Sequence, residues 1–255
     1  MLPSLFLAHG SPMIALENNP YTQFLKAYGQ QHHPRAILIF TAHWISDTLT
    51  ISAIDEQYKT IYDFYGFPPE LYEIQYPAKG SSQIAKMIRQ RFMKENIPVL
   101  LDHQRGLDHG SWTLLHHLYP EANIPVIQIS VNPSLSPKEQ FRIGQALQGL
   151  HEEEFLIIGS GVTVHNLSML KWGETTPEPW AVQFDDWLID QINKKDIEAL
   201  DRYHQLAPSA QLAVPTTEHF IPLFIAMGSA NIKAKPTILH RSYDMGTLSY
   251  LSFQF

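Results

Sequence analysis

The sequence predicts an α/β fold: a single domain with a mixed β-sheet between helix layers and a site at the carboxyl ends of the strands. Short apolar runs alternate with amphipathic helical segments along the whole chain, the pattern of layered α/β architectures. Two of these runs end in histidine, Leu5-Phe6-Leu7-Ala8-His9 and Ile37-Leu38-Ile39-Phe40-Thr41-Ala42-His43. A third, Phe155-Leu156-Ile157-Ile158-Gly159, is followed shortly by His165. In open α/β sheets ligands bind outside the carboxyl ends of the strands, so these imidazoles are placed to converge.

The elements follow in order. After the first strand, Asn19 to Tyr28 is a helix with Pro20 at its first position. Leu49 to Ala53 alternates like a strand. Tyr62-Asp63-Phe64-Tyr65-Gly66-Phe67-Pro68-Pro69-Glu70-Leu71-Tyr72 is too rich in rings and proline for a helix. Two readings stay open for it: a surface loop pinned to the core by its rings, or a wall over a flat aromatic ligand. Ser81 to Asn96 is an amphipathic helix, and Pro98 to Leu101 a strand. Asp108 caps a helix over Gly110 to Leu118, with His109 at its start. Ile124 to Val131 is an apolar strand, and Ser136-Pro137-Lys138-Glu139 is a capping box opening a helix to about Glu153. Gly159-Ser160-Gly161 reads as a tight turn after the next strand. Pro179 to Leu206 is mostly helical, and Thr216 to Met227 is a helix with Glu218 and His219 in its first turn. Thr237 to His240 and Leu248 to Phe255 close the chain as two antiparallel edge strands.

Bulk properties narrow the chemistry. With 255 residues, 44% of them hydrophobic, the chain can bury a large core. A formal net charge of −7 and the lack of a basic face exclude a nucleic-acid binder. There are no cysteines, so any metal must be held by nitrogen and oxygen, and 13 histidines can supply the nitrogen. The apolar start lacks a basic leader region and is interrupted by His9, and no run matches a membrane span, so a cytoplasmic protein is expected.

His9, His43, His165 and His219 all sit where an element begins or ends. Imidazole suits Zn, Fe, Ni and Cu, and three such ligands leave positions open for a substrate. His9 and His43 become neighbours if the first two strands pair. His109, at a helix N-terminus, is expected to stay neutral, and two readings stay open for it: a ring that simply hydrogen-bonds backbone, or an N–H donor to bound oxygen. His116 and His117, with His32, His33, His103, His151, His204 and His240, read as solvated or structural.

Six motifs in order carry a resemblance: Leu7-Ala8-His9-Gly10-Ser11-Pro12, Thr41-Ala42-His43-Trp44, Tyr62 to Pro68, Gly106-Leu107-Asp108-His109-Gly110, Gly159-Ser160-Gly161 with Val164-His165-Asn166-Leu167, and Thr217-Glu218-His219-Phe220. Together they resemble the DOPA-4,5-dioxygenase family, the LigB-type branch of the class III extradiol ring-cleavage dioxygenases, over nearly the whole chain. The resemblance implies one catalytic domain over residues 1–255 that opens a catechol such as L-DOPA with O₂. It implies one divalent metal per chain, Fe(II) for the oxygen chemistry or Zn(II), with His9, His43 and His219 as ligands. His165 would lie at or beside the metal, as ligand or acid/base, and His109 would face the oxygen side. Non-haem iron sites commonly include a carboxylate. Glu218 and His219 are adjacent and point about 100° apart on a helix, so one of them binds, and the resemblance favours His219. The partners expected are a small-molecule catechol and O₂, with no nucleic acid and no membrane; a homo-oligomer is left open. The rivals are a metal chelatase of the cobalamin or sirohaem type, whose first strand also ends in His-Gly-Ser, a zinc-dependent hydrolase, and a non-catalytic metal-binding relative.

Overall fold

The computed structural model describes residues 2–231 and 233–255. Along the chain lie β1 (Ser4–Ala8), α1 (Pro20–Gln31), β2 (Ala36–Ile45), β3 (Leu49–Ser52), α2 (Ser82–Lys94), β4 (Val99–Asp102), α3 (His109–Leu118), β5 (Val126–Val131), α4 (Pro137–Gln145) and β6 (Phe155–Gly161). Then come α5 (Pro179–Lys194), α6 (Ile197–Asp201), α7 (Tyr203–Leu206), α8 (Ala210–Ala213), α9 (Pro222–Ser229), β7 (Thr237–His240), β8 (Tyr243–Asp244), β9 (Leu248–Ser249) and β10 (Ser252–Gln254). One eight-stranded mixed sheet runs β4-β3-β5-β2-β6-β1-β10-β7, and β8 and β9 form a separate hairpin.

The central strands are buried on both faces, which is why they read as unbroken apolar runs. Their side chains alternate between layers. Leu5, Leu7, Ile37, Ile39, Leu156 and Ile158 meet Tyr21 and Leu25 of α1 and Trp112 and Leu115 of α3. On the opposite face Leu38, Phe40 and Ile157 meet Ile88 of α2, Ile143 of α4 and Ile225 of α9. Phe6 packs there with Phe184 of α5 and Phe224 of α9. Among the described residues, no helix is long and apolar enough to cross a membrane.

Several boundaries differ from the sequence reading. β1 and β2 do not pair; β6 lies between them, parallel to both. Sequential pairing is a tendency, and here the crossover through later strands prevails. β2 continues past His43 to Ile45, and its register to β5 slips between Phe40 and Ile45, so His43 sits in an irregular stretch. Such irregularities re-aim side chains. α4 stops at Gln145, and a 3-10 turn over Leu150–Glu153 completes the segment read as one helix. The Pro179–Leu206 stretch breaks into α5, α6 and α7. α9 starts at Pro222, so Glu218 and His219 occupy the turn before it and not its first helical turn. Proline at the first position fixes that start, since it has no N–H to continue a helix behind it. Pro20 opens α1, Asp108 caps α3 and the Ser136–Glu139 capping box opens α4, as expected; Asn19 adds a capping box with Thr22 that the sequence reading does not name.

Candidate metal centre

His9 leaves the end of β1, held on both sides of its peptide. Ala8 N–H donates to Ser252 Oγ at 3.1 Å, and Tyr21 OH donates to the Ala8 carbonyl at 2.6 Å. Gly10 turns the chain away with φ +54°, and the Tyr250 ring fills the space a Cβ there would need. His43 arrives from β2, where Arg105 donates to its carbonyl at 3.0 Å and to Asp108 at 3.2 Å. Thr41 Oγ1 donates to the same buried Asp108 at 2.7 Å. His219 is brought in by the turn before α9, whose backbone lies against Gly161. A Cβ on Gly161 would stand 2.1 Å from the His219 carbonyl oxygen, and one on Gly159 2.2 Å from that of Pro222. The glycines that read as a tight turn are therefore strand residues that permit close approach of another segment.

The three imidazoles meet at one point. Nε2 of His43 lies 3.1 Å from Nε2 of His9 and 3.3 Å from Nε2 of His219. Each opposite ring nitrogen is committed elsewhere. Ser160 Oγ donates to the Gly110 carbonyl, so it is free to accept from Nδ1–H of His9, 2.9 Å away. Asp63 sets a carboxylate oxygen 3.2 Å from Nδ1 of His43, and Glu218 sets one 3.1 Å from Nδ1 of His219. With the protons held at Nδ1, three Nε2 lone pairs face one another, an arrangement that a cation between them satisfies. Ligand nitrogens about 2.1 Å from one ion stand about 3.0 Å apart at right angles and about 3.4 Å apart at tetrahedral angles. The observed separations fall in that span, so the residues fit a divalent metal.

The electrostatics agree. Burial, reinforced by the neighbouring imidazoles, holds His9 well below its ordinary pKa. Burial likewise lowers His219 to about 4, against the pull of Glu218. These histidines are neutral, the form that binds metal. Burial opposes ionisation of Glu218, but its hydrogen bonds with His219 and Thr216 hold it at about 2. Partial desolvation opposes ionisation of Asp63, an exposed residue, but His109 and His43 beside it keep its carboxyl well below the usual range.

His109 opens α3 with its ring centroid 3.9 Å from that of His43. Burial lowers its pKa, against the pull of the neighbouring Asp63 carboxylate. Asp63 Oδ1 accepts its backbone N–H at 3.0 Å and also lies 3.0 Å from its Nδ1, in a bent contact. His165 does not join the three converging nitrogens. Its ring stacks on His219 at 3.7 Å between centroids, and burial lowers its pKa to about 3. A second donor group, His43 with Asp63 and His109, shares His43 with the first.

Asp63 and Ser160 are site residues that the sequence does not single out, although both lie within the motifs that carry the resemblance. The signal for Asp63 was a lone carboxylate inside an aromatic run. That run anchors itself through Tyr62, whose hydroxyl donates to the Ile74 carbonyl, and Phe64, which packs edge-on to His109. Its Tyr65 tip is 92% exposed. The remaining histidines are mostly structural: Nε2 of His117 meets the Ile14 carbonyl at 2.6 Å, and Nδ1 of His103 that of Ala53 at 2.8 Å.

Residues 3–253 match the family model described as the catalytic LigB subunit of aromatic ring-opening dioxygenase. A Beta vulgaris protein named 4,5-DOPA dioxygenase extradiol is 39% identical, over 99% of this chain and 96% of its own length. An Escherichia coli (strain K12) protein of the same name is 37% identical, over 99% of this chain and 94% of its own. The crystal structure of an uncharacterized protein from Escherichia coli K12 superposes with a TM-score of 0.84 at 32% identity, covering 100% of both chains. The chain belongs to the LigB family of aromatic ring-opening dioxygenases.

Proposed function

We propose that the chain, as one catalytic domain over residues 1–255, is an extradiol dioxygenase that opens a catechol such as L-DOPA by 4,5-cleavage. The observation that carries this reading is the meeting of the His9, His43 and His219 Nε2 atoms, each ring having its Nδ1 engaged by Ser160, Asp63 or Glu218. Those three nitrogens would hold one divalent ion. Bound Fe(II) would acidify the catechol hydroxyls and activate O₂, whereas Zn(II) has no redox chemistry to offer oxygen.

The protein's own groups manage protons and position. His109, its ring beside His43, would face the oxygen side, and Asp63 beside its Nδ1 would stabilise the imidazolium formed when a proton arrives. His165 lies over His219, placed to take and return a proton at the substrate. Phe64, edge-on to His109, gives that side of the cleft an aromatic wall that excludes water.

The test is anaerobic loading with Fe(II), then oxygen uptake with L-DOPA, caffeate and protocatechuate. The expected result is stoichiometric O₂ consumption and a yellow semialdehyde product from L-DOPA. No oxygen uptake with any catechol, together with tight tetrapyrrole binding, would replace this reading with a chelatase.

A further inference from the structure

A carboxylate that the site chemistry leaves unused lies deep in α5. Asp185 is fully buried and accepts three hydroxyls: Thr163 at 2.7 Å, Tyr243 at 2.8 Å and Ser249 at 2.6 Å. The Tyr243 oxygen also accepts from Arg241 at 3.2 Å, which directs the Tyr243 proton toward Asp185. Three O–H donors on two oxygens are the partners of an ionised, acceptor-only carboxylate. Burial penalises that charge, and apolar residues in such a place are often as stable or more so.

The three donors belong to three segments. Thr163 lies between β6 and His165, Tyr243 in β8 and Ser249 in β9. The Thr163 segment is also tied by its backbone: Val162 N–H to the His219 carbonyl at 2.8 Å, Ser249 N–H to the Val164 carbonyl at 3.3 Å, and His165 N–H to the Ala213 carbonyl at 2.9 Å. Among the described residues no hydrogen bond orients the His165 ring, so its backbone and its stacking on His219 place it.

We propose that Asp185 is a positioning residue: by gripping Thr163, two residues upstream, it keeps the His165 ring in register over His219. The proposal rests on the reading of His165 as the acid/base group. The hydrogen bonds of Asp185 go to Thr163, Tyr243 and Ser249 and not to His9, His43 or His219, so it acts on His165 through this loop. A displacement of about 1 Å in such a group can lower the rate about 10²-fold.

Thr163→Val is nearly isosteric and removes only the hydroxyl; Thr163→Ser retains it, and Asp185→Asn discharges the node. The readouts are kcat and KM of the Fe(II) enzyme, metal content, and the His165 imidazole NMR signals of the diamagnetic Zn(II) protein. Thr163→Val is expected to shift the His165 signals and lower kcat by about 10–10²-fold with KM and metal content unchanged. Thr163→Ser is expected to restore both readouts. Wild-type His165 signals in Thr163→Val would overturn the proposal, even if Asp185→Asn fails to fold. Shifted signals with unchanged kcat would uphold the positioning and remove His165 from the chemistry instead.

Discussion

The rings of His165 and His219 lie face to face, 3.7 Å between centroids and 12° from parallel. A histidine's lone pair lies in its ring plane, so two stacked rings aim into parallel planes and not at one point. With Nε2 of His219 directed at His43, His165 is a neighbour of the nitrogen cluster and not its fourth member.

His165→Ala should therefore keep its metal and lose turnover. A positioned acid/base contributes about 10²–10⁴-fold to rate, and kcat is expected to fall by about that factor. Elemental analysis beside steady-state kinetics checks both halves; loss of metal would instead make His165 a ligand.

Removing two of the converging nitrogens has the opposite signature. The His9→Ala, His43→Ala double variant is expected to fold, by circular dichroism, and to carry no stoichiometric metal. Full occupancy in that protein would move the metal elsewhere.

Asp63→Asn keeps the shape of the side chain and removes its charge. Loss of an outer carboxylate typically costs about 10–100-fold in metal affinity or activity. Because Asp63 faces both His43 and His109, we expect weaker metal binding in chelator competition and a lower kcat at saturating metal. A change in one without the other would show that Asp63 serves a single ring.

Acid should destabilise the metal-free protein well above the range of its carboxylates. Burial, with help from neighbouring imidazoles, depresses His9, His165 and His219, the last two to about 3 and about 4. The unfolded chain takes up these protons near pH 6.5, so the unfolded state binds more of them as pH falls. The stabilisation is complete above pH 6.5 and is lost progressively toward pH 3. Urea midpoints at pH 7.5, 6 and 5 should fall in that order; a flat series would mean that the buried imidazoles are charged in the folded state.

Gly161→Ala tests the close approach behind the site. Its Cβ would press on the His219 carbonyl at 2.1 Å, and overpacking of this kind costs about 1–3 kcal/mol. We expect a lower thermal midpoint together with weakened metal binding, because the backbone that must move carries His219. Unimpaired metal binding would show that this turn yields without disturbing the ring.

The layered fold was legible because β1, β2, β5 and β6 are predominantly apolar, as strands buried on both faces are. Position near an element end singled out His165 equally with His9, His43 and His219 and did not separate them; the meeting of those three was legible from the motifs that carry the resemblance. Asp63 was not, because its role is fixed by the meeting of a loop with β2 and α3, a contact between residues far apart in sequence. Strand order failed for the same reason: nothing in β1 or β2 records that β6 inserts between them. Asp185 stayed hidden because an acidic residue in an amphipathic helix looks solvent-facing until its hydroxyl partners from three other segments are placed.

The insertion of β6 also governs when the site can exist during folding. His9 and His43 stand on strands separated by one that is made much later in the chain, and the last nitrogen follows 176 residues after His43. A nascent or truncated chain that ends before the turn at His219 can offer at most two of the three nitrogens. On the proposed ligand set, full three-nitrogen metal binding would be reserved for the finished domain, and metal supply would then act on the folding equilibrium by mass action. Proteolytic lifetime in the cell should then track metal availability as closely as activity does.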